Sequence, residues 1–271
     1  MTVDVPAAAE GVVDLRTPEA VERAAAERDR IEEKVEAFDA FGDRVAGVSA
    51  EAGRQAGTAN TAAARATETA VVASGTPARS AGAAESVREA FRETVVPYAE
   101  PESLQQAMAD ELSPELTTAL SPAAGGLTPG LKSQLVSRAE QRRRECRLLA
   151  DAIESERERL AELGDELERI VDEVVGADET PLLQLGFEEL RERHDRLAEL
   201  RATCDRLAAD RQAAIRGARH DGLTGIRQSE LLDHLYVDLP DDHPGLADLA
   251  RLDAVLADCQ RAVRDHLCSR V

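Results

Sequence analysis

The sequence predicts an all-α protein, and three observations carry that prediction. Helix-forming residues dominate, with 48 Ala among 271 residues, while the aromatics number only six and Trp is absent. Apolar residues recur at three- and four-residue spacing over long stretches, the pattern of a helix with one narrow buried stripe. Proline and hydroxyl residues stand together where such stretches begin, as N-terminal helix signals. So few rings argue against a thick globular core and for long helices joined along seams.

The first element opens at Thr17-Pro18-Glu19, where a hydroxyl can cap, a proline is already at helical φ and an acid faces the positive dipole end. Val21, Ala24, Ile31, Val35, Phe38 and Val45 then keep a heptad register, which continues through Ala52, Ala56, Ala59, Ala63, Ala66 and Ala70. A helix over 18–72 is expected. Its second half should be softer, because Ala offers little apolar area and Gly47, Gly53 and Gly57 each weaken a helix by about 1 kcal/mol. Residues 74–83, SGTPARSAGA, read as a linker. Short helices follow: one through Val87, Phe91 and Val95 stopped by Pro97, one from Glu102 to Leu112, and one opened by Ser113-Pro114-Glu115.

Thr128-Pro129 starts the strongest element, with Leu135, Ala139, Cys146, Leu149, Ile153, Leu160, Leu163, Leu167, Ile170 and Val174 in one register. That places a helix over 129–175. Beyond the turn signals at Gly176 to Pro181, a second register holds Leu183, Leu190, Leu197, Leu200, Cys204, Leu207 and Ala214, a helix over 182–217. Two seams joined by a short loop form an antiparallel coiled-coil hairpin. A short helix over Ser229 to Tyr236 and a last one after Pro244, through Leu249, Leu252, Leu256, Cys259 and Val263, complete a C-terminal module. The expected organisation is an N-terminal coiled-coil helix (1–73), a linker (74–83) and a helical domain (84–271) holding the hairpin (129–217) and the module (227–271).

The formal charge is −20, and the 33 basic residues comprise 31 Arg and two Lys, Lys34 and Lys132. Arg in place of Lys, beside abundant carboxylates, points to a halophilic setting, where carboxylates keep a heavily screened surface hydrated. No stretch approaches the roughly 20 apolar residues that span a bilayer, and the N-terminus lacks the positive charge of a signal peptide. A soluble, cytoplasmic protein is expected, with Cys146, Cys204, Cys259 and Cys268 as reduced thiols.

The stretches FRETVVPYAEPESLQQAMADELSPELTTAL (91–120) and LLDHLYVDLPDDHPGLADLARLDAVLADCQRAV (231–263) resemble an uncharacterised haloarchaeal family of acidic, helical, coiled-coil-rich proteins. The likeness extends from Pro18 to the C-terminus. It implies a halophilic, cytoplasmic protein and brings no activity, cofactor or catalytic residue with it.

No catalytic, cofactor-binding or metal site emerges from motifs. GGLTPGLKS (125–133) spaces two glycines and a Lys-Ser pair like a phosphate-binding loop, but Leu131 separates Gly130 from Lys132, Pro129 removes a cradle amide and no strand precedes it. His194, His220, His234, His243 and His266 show no ligand spacing, and Cys259 and His266 lie about 10 Å apart along a helix. Only in a folded C-terminal module can His234, His243 and Cys268 meet. Cys146, Cys204 and Cys259 hold apolar register positions, where Cys acts as a small hydrophobe. The sequence therefore argues against an enzyme and against a small-molecule substrate.

Charge patterning supplies the remaining signal. Residues 131–150 hold Lys132, Arg138, Arg142, Arg143, Arg144 and Arg147 against Glu140 and Glu145; residues 201–219 hold five Arg against two Asp; 154–179 hold eleven acids and three Arg. The hairpin is expected to be acidic at its turn and basic at its open end, with the short helices on either side of it packed together around that base and the tip left free. A structural or interaction protein, acting through its helices on another copy or another protein, is the leading reading. A nucleic-acid-associated or regulatory protein using the arginines or the C-terminal helices is the alternative, weakened by the steep salt dependence of phosphate contacts.

Overall fold

The computed structural model describes residues 14–50, 77–99, 103–124, 126–178, 180–217 and 228–270, and among these every regular element is helical. In order they are α1 (Thr17–Gly47), α2 (Pro77–Thr94), α3 (Leu104–Glu111), α4 (Pro114–Ala119), α5 (Pro129–Asp178), α6 (Phe187–Gly217), α7 (Gln228–Leu235) and α8 (Pro244–Cys268), with 3-10 turns at Val96–Tyr98 and Leu182–Gln184. The all-α class holds. So do the starts read at Ser113 and Thr128, whose hydroxyls accept from the amides of Leu116 and Leu131 at 3.2 Å each, and the Ser103 hydroxyl caps α3 by accepting from the Gln106 amide at 3.1 Å. At α6 the Glu189 carboxylate reaches back to the Gly186 amide at 2.5 Å, half of a capping box.

Two boundaries differ from expectation. Instead of running to 72, α1 ends at Gly47, where the Val48 amide tightens onto the Val45 carbonyl at 3.1 Å. The Ala-rich stripe over 52–70 lies outside the described residues. The linker read at 74–83 is helical from Pro77 onward, because a proline in the first helical position sacrifices no intrahelical bond.

The chain divides into two compact units. The first holds the described residues of Met1–Asp29 and Ala150–Val271; the second holds those of Arg30–Leu149. Both α1 and α5 contribute to each.

In the first unit α5 and α6 run antiparallel. Arg196 of α6 pairs with Glu173 of α5, and fifteen residues further along α6 Arg211 meets Glu156, seventeen back on α5. Along α6 lies α8, also antiparallel, since Arg201 bonds Asp253 at 2.8 and 3.2 Å and the Gln260 side chain donates to the His194 carbonyl. Leu163, Leu167 and Ile170, Leu190, Leu197 and Leu200, and Leu249, Leu252 and Leu256 bury the shared core. The N-terminal turn of α1 joins α8 through Asp248, and Arg28 meets Glu154 at 3.2 Å. The α5 positions Leu163 to Ile170 and the α6 positions Leu190 to Cys204 are thus covered within the unit, whereas Leu183 of the α6 register is exposed.

The second unit concentrates the scarce aromatics. Phe38, Phe41 and Phe91 are all fully buried, and Phe41 meets Phe91 edge to face with centroids 5.3 Å apart. Val87, Met108, Leu112, Leu120 and Leu135 fill the remaining core. Gly126, at φ 93°, supplies the left-handed residue of the turn that leads into α5.

Helical glycines give contrasting expectations. A Cβ at Gly42 or Gly164 meets only ordinary contacts, Ala139 Cβ at 3.8 Å and the Thr17 methyl at 3.5 Å. Gly42→Ala and Gly164→Ala should each raise stability by about 0.4–1 kcal/mol by restricting the unfolded chain. At Gly245 the added atom falls 2.7 Å from Leu163 Cδ2 and 3.4 Å from Leu160 Cδ2, both on well-buried side chains. Gly245→Ala should therefore destabilise by about 1 kcal/mol or more. Urea titration of the three variants by circular dichroism tests the order.

Candidate functional site

The arginine-rich stretch 131–150, the strongest functional signal in the sequence, belongs to the second unit and is used largely to fasten its helices. Lys132 Nζ donates to the Ala46 and Val48 carbonyls at 2.6 and 2.7 Å, closing the open end of α1. The lysine of the GGLTPGLKS stretch therefore caps a helix. Arg138 Nε does the same for α3 through the Leu112 carbonyl at 2.7 Å. Arg142 reaches Glu111 from Nη2 at 2.5 Å and Nε at 3.0 Å, and its guanidinium lies 5.8 Å over the Phe38 ring. Arg143 pairs with Asp39 of α1, and Arg144 faces Glu140 at 4.0 Å. Arg147 stands exposed.

Glu111 sits between two cations, since Lys34 Nζ also approaches it at 2.5 Å. Burial pushes its carboxyl up, but the hydrogen bond from Lys34 and the charge and hydrogen bond of Arg142 outweigh that and hold it below the usual range. A depressed carboxyl contributes stability that is present above the unfolded value, about 4.3 for Glu, and is lost as pH falls through the folded value. Glu111→Gln should thus lower stability at pH 7 and show a weaker loss on acidification below about pH 4.3. Acid titration of hydrogen exchange in α3 checks this.

The second basic stretch, 201–219, lies in the first unit. Arg201 pairs with Asp253, Arg206 faces Asp210 at 3.8 Å, Arg216 is exposed, and Arg219 lies outside the described residues. Arg211 is buried, pairing with the fully buried Glu156 through both Nη atoms, Nη1 at 3.0 Å. The Tyr236 hydroxyl donates to the same carboxylate at 3.0 Å. Burial first, and then the charge of Glu156, push the Tyr236 phenol far above its ordinary range, so it stays a donor.

Sequence reasoning missed this triad, although a signal exists. The register of α5 skips from Ala139 to Cys146 and from Ile153 to Leu160, and that of α6 skips from Leu207 to Ala214. Arg142, Glu156 and Arg211 occupy those gaps. A charge on a seam position, rather than the local charge sum, marks the buried partners.

The buried thiols Cys146 and Cys204 lie on the helix seams. Burial pushes the Cys146 thiol up, and burial with the nearby Asp253 and Asp205 pushes Cys204 up to about 11, so both stay protonated. His194 Nδ1 lies 3.5 Å from Asp195 and His234 3.9 Å from Glu27. His220 lies outside the described residues. Among the described residues no group of three His, Cys, Asp or Glu side chains is placed to hold a metal, so His234, His243 and Cys268 do not converge. A groove of about 490 Å³ between α5 and α6 is lined mainly by charges, including Arg159, Glu162, Glu166 and Asp210.

The two basic stretches expected to form one collar belong to different units. The acidic tip is not bare. The end of α8 reaches it, where the Arg270 guanidinium donates to the carbonyls of Leu182 and Leu183 at 3.2 Å and to that of Leu185. Beside this anchor, Leu183, Phe187 and Val175 are 77%, 48% and 37% exposed. Five large apolar side chains are exposed among the described residues, and three of them lie within these thirteen positions, while Leu148 and Val237 stand apart.

A family model described as a domain of unknown function (DUF7260) matches residues 16–260. No curated protein and no solved structure matches the chain. Among the described residues no helix is long and apolar enough to cross a membrane.

Proposed function

We propose that this chain, which belongs to the DUF7260 family of domains of unknown function, is a non-enzymatic interaction protein. In this reading a preformed helical scaffold presents a surface to a protein partner. The observation that carries it is the apolar group at the α5–α6 turn, where three of the five exposed large apolar side chains among the described residues lie together. The heptad seams supply the scaffold and the turn supplies the contact. The nucleic-acid alternative loses support because Arg142, Arg143, Arg201 and Arg211 are paired with carboxylates of their own units, while Arg147 and Arg216 are exposed. The acidic balance fits a high-salt cytoplasm, and assays belong at molar salt.

Two measurements test the reading. Salt-stable co-purification from the native cell, with identification of bound proteins and nucleic acids, should return a stoichiometric protein. Light scattering after size exclusion in molar salt measures self-association. A strict monomer with no co-purifying protein, or a nucleic acid as the retained species, would overturn it.

A further inference from the structure

The end of the α5–α6 pair has the features of a docking surface for a basic peptide segment. Leu183 projects from the short connection between the helices, Phe187 from the first turn of α6, and Val175 from the last turns of α5. This connection is held in place. The Leu182 side chain is buried in the core beneath it, and Arg270 binds three of its carbonyls, at residues 182, 183 and 185. The Glu189 carboxylate fixes the Gly186 amide between Leu183 and Phe187. Apolar side chains on a backbone so fastened lose little freedom when a partner covers them.

The surroundings specify the partner. Residues 165–177 and 180–195 carry nine carboxylates against three arginines, and Arg196, paired with Glu173, and Arg270, on the turn carbonyls, add two further cations. Asp172 and Glu192 are exposed, as are Glu188 and Glu189. Of the three arginines, Arg169 and Arg191 are paired with Glu166 and Glu188 on their own helices, and Arg193 is turned to the Thr180 carbonyl. A second copy of this chain would bring like charges together, and so would an acidic peptide or a nucleic acid. We infer that the turn binds a segment of a partner protein in which one or two large apolar side chains are flanked by Lys or Arg. Apolar contact supplies the affinity and the carboxylate rim selects the sign of the partner. This rests on the interaction reading above.

The test uses the full chain and two fluorescent 15-residue peptides sharing a Leu-Phe anchor, one flanked by Lys and the other by Glu. Fluorescence anisotropy should give at least tenfold tighter binding of the Lys peptide. The Leu183→Asp/Phe187→Asp variant should lose at least tenfold of that affinity, and the Val237→Asp control should lose none. Circular dichroism melts verify that both variants remain folded; Phe187→Ser replaces the double variant if it does not. Equal binding of the two peptides overturns the inference, as does full binding by the folded turn variant or a dimer that the turn variant abolishes. If a protein co-purifying with the wild type is retained by the turn variant, this surface is wrong and the interaction reading stands. If nothing co-purifies with the wild type, that reading fails first.

Discussion

Replacing Glu156 by Ala should destabilise the protein by about 3–5 kcal/mol, a large part of the roughly 5–15 kcal/mol that holds a typical domain together. Glu156 has no exposed surface, and only 6% of the Arg211 side chain is accessible. Removing the carboxylate leaves a guanidinium and the Tyr236 hydroxyl buried without their acceptor, and neither can turn to water without opening the α5–α6 contact. The complete replacement should behave differently. Glu156→Leu with Arg211→Leu and Tyr236→Phe removes these three groups, and apolar packing then substitutes for a pair whose desolvation nearly cancels its attraction. That triple variant should recover most of the loss. Chemical denaturation of the single, double and triple variants separates the terms, with the coupling read from the cycle. A loss below about 1 kcal/mol for Glu156→Ala would mean that water reaches the site.

The elements were legible wherever the deciding chemistry is local. Ser113-Pro114 and Thr128-Pro129 announce α4 and α5, and a hydroxyl three residues from the amide it caps needs no tertiary partner. The seam of α5 was legible for the same reason, since a helix imposes its own spacing. What covers that seam was not. The pairing of α5 with α1 and α6, and of α6 with α8, depends on which stripes meet in space, and many heptad stripes match one another. The basic stretch misled most. Lys132, Arg138 and Arg270 end on backbone carbonyls, acceptors that every residue carries and no sequence motif marks. Arg142, Glu156 and Arg211 were readable in principle, because each interrupts a seam. Recognising the interruption required treating a missing apolar residue as information.

Thr17 illustrates the same division between local and tertiary chemistry and leads to the second large effect. The sequence assigns its hydroxyl the capping of α1, yet in the fold that hydroxyl is a donor, to Asp248 Oδ2 at 2.7 Å. The same oxygen accepts from the amides of Thr17 and Arg16 at 2.7 and 2.8 Å, so the start of α1 is capped by a carboxylate from α8. Asp248 is fully buried, and its other oxygen accepts from Arg251 at 2.8 Å. A negative charge here also faces the positive end of the α1 dipole. Asp248→Ala should cost about 3 kcal/mol, because the buried Thr17 amide and hydroxyl lose their acceptor and each such group costs about 1–3 kcal/mol. Asp248→Asn keeps one acceptor oxygen and loses the charge, so it should cost less, about 1–2 kcal/mol. Hydrogen exchange supplies the local readout: amides in the first turns of α1 should exchange faster in both variants, and most in Asp248→Ala. Slow exchange there in Asp248→Ala would show that apolar packing alone holds the end of α1, and the carboxylate would then contribute only to the pairing with Arg251.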